Sequence, residues 1–208
     1  MTTGTQVTHL IANDVTRAGE VLGRAFFDDP MTEYMFPDES ARERPNRWLM
    51  EKGAVYGLRY GEVYTTSGVD GAAVWLPPGD TDMPMLRMIR AGMAMAPIRI
   101  GIRAFRRFIA ITDFVEELHH RDMAAKHWYL MLLGVDPDRQ GQGIGGVLIE
   151  PVVSRADASG LPCYLETMKE INVTFYKKHG FDVVWEGDIP STGLYLWTMR
   201  REPAGSRA

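Results

Sequence analysis

Four glycines, Gly141, Gly143, Gly145 and Gly146, crowd the segment DPDRQGQGIGG, which follows the uncharged run WYLMLLGV. Glycines so spaced remove the β-carbons that would keep a ligand off the backbone. A helix opening near Gly143 leaves the amide N–H groups of its first turn unpaired. Together with the helix dipole they make a site for a phosphate or pyrophosphate. Arg139 either adds charge to that site or faces water. A second chemical grouping is His119-His120, with Glu116, Glu117 and His127 nearby. Its spacing does not set two ligands on one helical face, and no cysteine or third carboxylate is grouped with it, so a solvated helix end is expected and no metal. The single cysteine, Cys163, excludes an internal disulfide framework and reads as a small buried hydrophobe.

Two ligands compete for the glycine loop. Gly141, Gly143 and Gly146 fit G-x-G-x-x-G, and Glu166 lies twenty residues on, at the end of the run LPCYLE, as a dinucleotide-binding fold requires. A doubly wound sheet needs further β-α units, yet only 42 residues follow Glu166 and they read as a hairpin-like tail. The other fit is Q-x-x-G-x-G at Gln140, Gly143 and Gly145, behind Val135-Asp136-Pro137. Downstream, NVTFYKKHGF from Asn172 to Phe181 fills N-x-x-x-Y-x-x-x-G-F. These two motifs, in this order and separation, resemble the acyl-CoA loop and the following helix of the GCN5-related N-acetyltransferase (GNAT) superfamily. Over residues 127–181 the strings LGVDPDRQGQGIG, GLPCYLET and FYKKHGF look most like the branch that contains puromycin N-acetyltransferase.

The resemblance implies an α/β (α+β) fold: a central mixed, mostly antiparallel sheet with helices on both faces. The strand ending at Val135 and the strand at Cys163–Glu166 would run parallel and splay apart around acetyl-CoA. The implied reaction is direct acetyl transfer to an amine with no acyl-enzyme, and the acyl donor is the one cofactor expected. By resemblance, backbone amides of Gln140, Gly141, Gln142, Gly143, Ile144 and Gly145, with Gly146 behind them, hold the pyrophosphate. Leu133 and Val135 pair with the pantetheine arm, the Val135 N–H polarises the thioester carbonyl, and Asn172 bonds the pantetheine chain. Tyr176 lies four residues past Asn172 and so shares its helical face, toward the sulfur, where its hydroxyl would be both a contact and the general acid. Glu33, Glu166, His119 and Tyr129 all remain open as the base, none having a sequence neighbour that sets its pKa; Glu166 is favoured because it ends a strand beside the splay. Glu33, Tyr34 and Phe36, between the first two helices, would border the acceptor pocket. The acceptor implied is the amine of a small molecule, such as an antibiotic or another amine with an apolar body. The alternatives are a peptide or protein amine, or an acyl-CoA sensor without chemistry.

The elements that must position these residues are legible in order. A short strand over 6–11 precedes a helix with Val15, Ala18, Val21, Leu22, Ala25 and Phe26 on one side, capped by Asn13 or Asp14. A second helix runs from about 41 to 60, with Pro45 tolerable only in its first turn. Runs at 62–67 and 72–76 form a hairpin around Gly68–Gly71. Residues 82–112 carry five Met (83, 85, 88, 93, 95) and six Arg (87, 90, 99, 103, 106, 107) against Asp82. Pro97 is expected to split that stretch into two helices, with a third piece through Phe114, Leu118 and Met123. Its Met face is either core or a surface that moulds an acceptor or a homodimer partner. After Glu166 come a helix over 170–179 closed by Gly180, then strands over 182–186 and 195–200.

With 208 residues and 45% hydrophobic content the chain suits one domain over 1–201, with a helical insert at about 80–125 and a disordered tail from 202 to 208. Net charge, 23 minus 27 or −4, argues against nucleic acid. No signal-like N-terminus and no run of eighteen apolar residues occurs, so the expectation is a cytoplasmic protein without a membrane partner.

Overall fold

The computed structural model describes residues 5–205. One seven-stranded sheet has the order β1-β2-β3-β4-β5-β7-β6, with β1 Val7–His9, β2 Glu62–Thr66, β3 Gly71–Leu76, β4 Trp128–Val135, β5 Cys163–Thr167, β6 Asp182–Ile189 and β7 Leu194–Arg201. Every pairing is antiparallel except β4 with β5. The helices are α1 Val15–Ala25, α2 Pro30–Met35, α3 Glu39–Tyr60, α4 Met85–Arg90, α5 Ala96–Arg99, α6 Ile102–Asp122, α7 Ile144–Ser159 and α8 Glu170–Lys178.

Alternation along β3 divides the core between two faces, because successive side chains of a strand point to opposite sides. Ala73 and Trp75 pack with Leu130, Leu148, Ile149, Leu165 and Phe181 beneath α7 and α8. Ala72 and Val74 pack on the other face with Ala18, Leu22, Met50 and Ala54 of α1 and α3. All of β3 is buried, as its uncharged sequence requires.

Several local expectations needed correction. Asp14 precedes α1 but makes no side-chain cap bond, because a 3-10 turn over Ala12–Asp14 leads into the helix. Asp38 caps α3 through Ser40 N at 3.0 Å, so the helix starts two residues earlier than expected and Pro45 falls in its second turn. What holds α3 there is buried polar anchoring: Asn46 Nδ2 donates to Gly23 O at 2.8 Å and Arg42 Nε to Phe36 O at 3.0 Å. Pro97 does not divide two helices but sits in the first turn of α5, where its missing N–H costs nothing. The breaks fall at Gly92 (φ +97) and Gly101 (φ +82), and the expected third piece is part of one continuous α6. The disordered tail is corrected over 202–205: Ala204 N donates to Asp157 Oδ1 at 2.7 Å, beside the Arg201–Asp157 ion pair at 2.6 Å. Residues 206–208 lie outside the described ones. No helix among the described residues is long and apolar enough to cross a membrane.

Helices α1 and α3 approach closely through two glycines one turn apart. A β-carbon on Gly19 would stand 2.7 Å from Glu51 Cβ and 2.9 Å from its Cα, and one on Gly23 3.0 Å from Arg47 Cα. Since the neighbour is helix backbone, it cannot rotate aside. Gly19→Val should therefore cost about 1–3 kcal/mol of overpacking. Urea unfolding reads this as a lower midpoint at unchanged slope.

Candidate active site

The parallel ladder between β4 and β5 joins only Trp128 with Cys163 and Tyr129 with Tyr164. Beyond that point the eight-residue β4 continues along β3 while β5 leaves it, so the two strands part as expected. A bulge helps: Val74 pairs with Leu132 but Trp75 with Leu130, which leaves Met131 as an extra residue in β4. Bulges bend the strand that carries them.

At the far end of β4 the glycine loop has the form a phosphate cradle needs. Gly141 (φ +75) and Gly143 (φ +80) are left-handed, and a β-carbon on either would project into open space. Gly143 is the N-cap of α7, so the first-turn amides at Ile144, Gly145 and Gly146 open toward the loop. Two of the glycines have a different reason for being there. A β-carbon on Gly145 would meet Phe175 at 3.2 Å and one on Gly146 would meet His179 at 2.8 Å, so these positions let α7 press against α8. The Gln140 side chain is turned back onto the strand end, donating to Val135 O at 3.2 Å. Gln142 is exposed. Arg139 faces Asp70 at 3.4 Å, and Arg24 ties α1 to the loop through Asp136 at 2.9 Å and Asp138 at 2.7 Å.

Tyr176 is buried on α8 between Phe175 and Phe181. Burial, and then the charge of nearby Asp29, hold its acidity below that of a free phenol, so it stays protonated at neutral pH. Asn172, expected on the pantetheine chain, donates Nδ2 to Thr167 Oγ1 at 3.0 Å and so ties α8 to the end of β5. Asp29 is a residue that the sequence patterns do not single out. It caps α2, accepting from Met31 N at 3.0 Å, and lies near Lys169 and Tyr176; burial raises its pKa. An Asp-Pro pair opening a short helix is the local signal that could have found it.

Of the four residues left open as base, the fold brings three together. Tyr129, Tyr164 and Glu166 project from β4 and β5 toward α6, whose last turn carries His119 against them. The Tyr129 hydroxyl donates to Glu166 Oε2 at 2.9 Å. Glu166 Oε1 is buried without a hydrogen-bond partner, and His119 Nδ1 stands 3.8 Å from it. The His119 ring stacks on Tyr164 at 4.6 Å. Burial is the main cause that pushes Glu166 up to about 8; the bond from Tyr129 opposes it and the Asp122 carboxylate adds to it. Glu33, the fourth, lies apart, with Arg42 at 3.4 Å from its half-exposed carboxylate.

The histidine region is not a solvated helix end throughout. His120 is exposed and bonds Asp82 at 2.9 Å, but His119 and His127 are buried with their Nε2 atoms 2.6 Å apart. Asp82 joins Glu116 and His120 in an exposed group within 4.8 Å, which adds a carboxylate that residue spacing did not disclose. The Met residues divide: Met93 is core, Met83 and Met88 pack against it, and Met85 and Met95 are exposed. Cys163 is wholly buried and its thiol is pushed up to about 12, which makes it an inert core atom.

Comparison with known proteins shows what this chain and its fold are similar to. Residues 105–183 match the acetyltransferase (GNAT) domain family. An uncharacterised N-acetyltransferase of Schizosaccharomyces pombe is 28% identical over 204 residues, spanning 92% of this chain and 81% of that protein. A peptidyl-lysine N-acetyltransferase of Salmonella typhimurium is 33% identical over 86 residues, 41% of this chain and 57% of that one. A solved structure described as a histone acetyltransferase and related acetyltransferase from Corynebacterium glutamicum has the same fold, with TM-score 0.67 at 18% identity over 98% of this chain and 99% of that one. The match to the acetyltransferase (GNAT) domain spans residues 105–183 of the chain, and together with these relatives it supports an acetyltransferase.

Glu166 also sets a pH-dependent cost on the fold. Its folded pKa of about 8 lies above its ordinary 4.5, so between those values the folded state keeps a proton that the unfolded state releases. Stability is therefore lost as pH rises through this window and levels above about 8. Glu166→Gln removes the loss. Its melting temperature should exceed the wild type's by more at pH 8 than at pH 5.

Proposed function

We propose that the chain transfers an acetyl group from acetyl-CoA directly to the amine of a small molecule with an apolar body. The observation that carries this reading is the placement of two proton-handling groups on opposite faces of the parted strands. Tyr176 comes from α8 on one face and Glu166 from β5 on the other.

Acetyl-CoA supplies the activated acyl group; what this chain supplies is binding, orientation and proton transfer. The open positions at Gly141 and Gly143 and the first-turn amides of α7 fit a pyrophosphate. Backbone groups of Leu133 and Val135, on the β4 edge that β5 has left, hold the extended arm in the manner of an added strand. The Val135 N–H is the donor to the carbonyl in this reading, and Asn172 keeps its side-chain oxygen for the arm. Glu166 takes a proton from the amine, and Tyr176 gives one to the departing sulfur. Because Tyr176 is the weaker acid, its proton moves only as charge develops on sulfur.

The exposed Met85, Leu86 and Ile89 of α4 support an acceptor with an apolar body, as does the motif likeness to the puromycin N-acetyltransferase branch over 127–181. The likeness to the Salmonella peptidyl-lysine enzyme favours a protein lysine as the second reading. A panel of small amines and lysine peptides, followed by thiol release from acetyl-CoA, separates the two. A chain that binds CoA but releases no thiol with any acceptor would be a sensor and would refute both.

Gly143→Val should abolish CoA binding in calorimetry, since the new side chain meets both a left-handed backbone and the cradle. Tight NADH binding by the wild type in place of CoA would overturn the assignment. Tyr176→Phe keeps the ring and should leave CoA affinity unchanged while turnover falls roughly ten- to a thousand-fold. With an acceptor whose amine is neutral throughout, kcat/KM should rise with pH and level above about 8, as Glu166 loses its proton. Glu166→Gln should be slow and lack that limb. A limb that survives in this variant would assign the base elsewhere.

A further inference from the structure

The groups behind Glu166 form a line that the acetyl transfer itself does not use. His127 Nδ1 lies 2.7 Å from Ala125 O, and a carbonyl can only accept, so this nitrogen carries a proton. Burial lowers the pKa of His127, which keeps the ring neutral and makes its Nε2 an acceptor. The 2.6 Å contact must then be His119 Nε2–H donating to His127 Nε2. His119, also neutral, is left with a bare lone pair on Nδ1, and that atom faces the unpartnered Glu166 Oε1. Both histidines also line a cleft of about 330 Å³ that opens beside Thr81, Asp82, His120 and Lys126. This cleft lies at the start of β4, at the opposite end of the strand from the glycine loop.

We propose that His119 and His127 are a proton exit, which carries the proton taken up by Glu166 from the acceptor amine out to the cleft. This inference rests on Glu166 being the base. When Glu166 is protonated, Oε1–H closes the 3.8 Å to His119 Nδ1 and passes its proton there; the His119 Nε2 proton passes to His127 Nε2; and the His127 Nδ1 proton breaks from Ala125 O to water in the cleft. The amine loses one proton, water gains one, and no other bond changes. The imidazoles finish in the opposite tautomers and return by exchange with water in the cleft that both of them line.

The exit lets Glu166 be emptied while acetylated product still fills the acceptor side. The charged and titratable groups around the pair are Glu166 and Tyr164 from β5, Tyr129 from β4, His120 and Asp122 from α6, and Asp82 and Lys126 at the cleft. Burial first, then the neighbouring His127 and His120, hold His119 at about 3. Its cation is thus a passing species, and the pair hands the proton on without storing it.

The test is His127→Gln in the full-length enzyme, with unchanged melting as the check on folding. Gln keeps a hydrogen bond to His119 but cannot relay a proton. In weak, bulky buffer kcat should fall roughly ten- to a hundred-fold with KM for acetyl-CoA unchanged. Added imidazole, small enough for the cleft, should restore it in a concentration-dependent way. Glu166→Gln should be slow and not rescued. Unchanged kcat in His127→Gln, or a loss that imidazole does not repair, overturns the relay while leaving Glu166 as the base. Normal turnover in Glu166→Gln overturns the base assignment itself. If His127→Gln does not fold, a proton inventory on the wild type decides: a curved dependence of kcat on deuterium fraction supports several protons in flight, and a straight line refutes them.

Discussion

The hydrogen-bond ladder between β4 and β5 stops after two residue pairs, and the rest of the molecule is arranged around that stop. Backbone groups on a parted strand edge are costly to bury unpaired, so a fold that leaves them must offer them a partner. Here β3 holds β4 on one side through six paired positions, and β7 holds β5 through five on the other. Each strand of the open pair is anchored by its outer neighbour, and this lets the inner edges separate without unravelling the sheet. Helices α7 and α8 then meet across the opening through Gly145 and Gly146, which brings the cradle and Tyr176 to the same side.

Residues close in sequence were the ones that could be read. The boundaries of β4, the opening of α7 at Gly143 and the closure of α8 by Gly180 each rest on local chemistry within a few positions, and the structure places them as read. The convergence of His119, Tyr129 and Glu166 could not be read in that way, because three elements separated by up to 47 positions supply them and no spacing rule links them. Pro45 and Pro97 were misjudged for a related reason. A proline marks where a helix is strained, but where the helix begins is decided by a cap, and Asp38 moved one start while Gly92 and Gly101 decided the other breaks.

Gly145 and Gly146 show a further limit. A glycine-rich loop offers one sequence pattern for two physical demands, approach of a ligand and approach of another helix. Only the β-carbon test divides them: Gly141 and Gly143 open on space, while the next two glycines open on Phe175 and His179. The two demands are met together because a helix that must point its first amides at a ligand must also be held in that direction by what it packs against.

His119 and His120 are adjacent, yet one is buried and the other is exposed, since consecutive residues on a helix point about 100° apart. Two effects compete at His119. It sits in the last turn of the 21-residue α6, where the helix dipole favours a cation by about 0.3–2 kcal/mol. That is worth at most about one and a half pKa units upward. Burial against Tyr164 and Tyr129 acts the other way, and its sign prevails, since the ring is brought from 6.5 down to about 3. Had the dipole won, His119 would be an imidazolium beside Glu166. It would hold that carboxylate ionised through attraction, far below 8, as a spectator ion pair. Because burial wins, both groups are neutral near neutral pH, and a single proton has room to move between them.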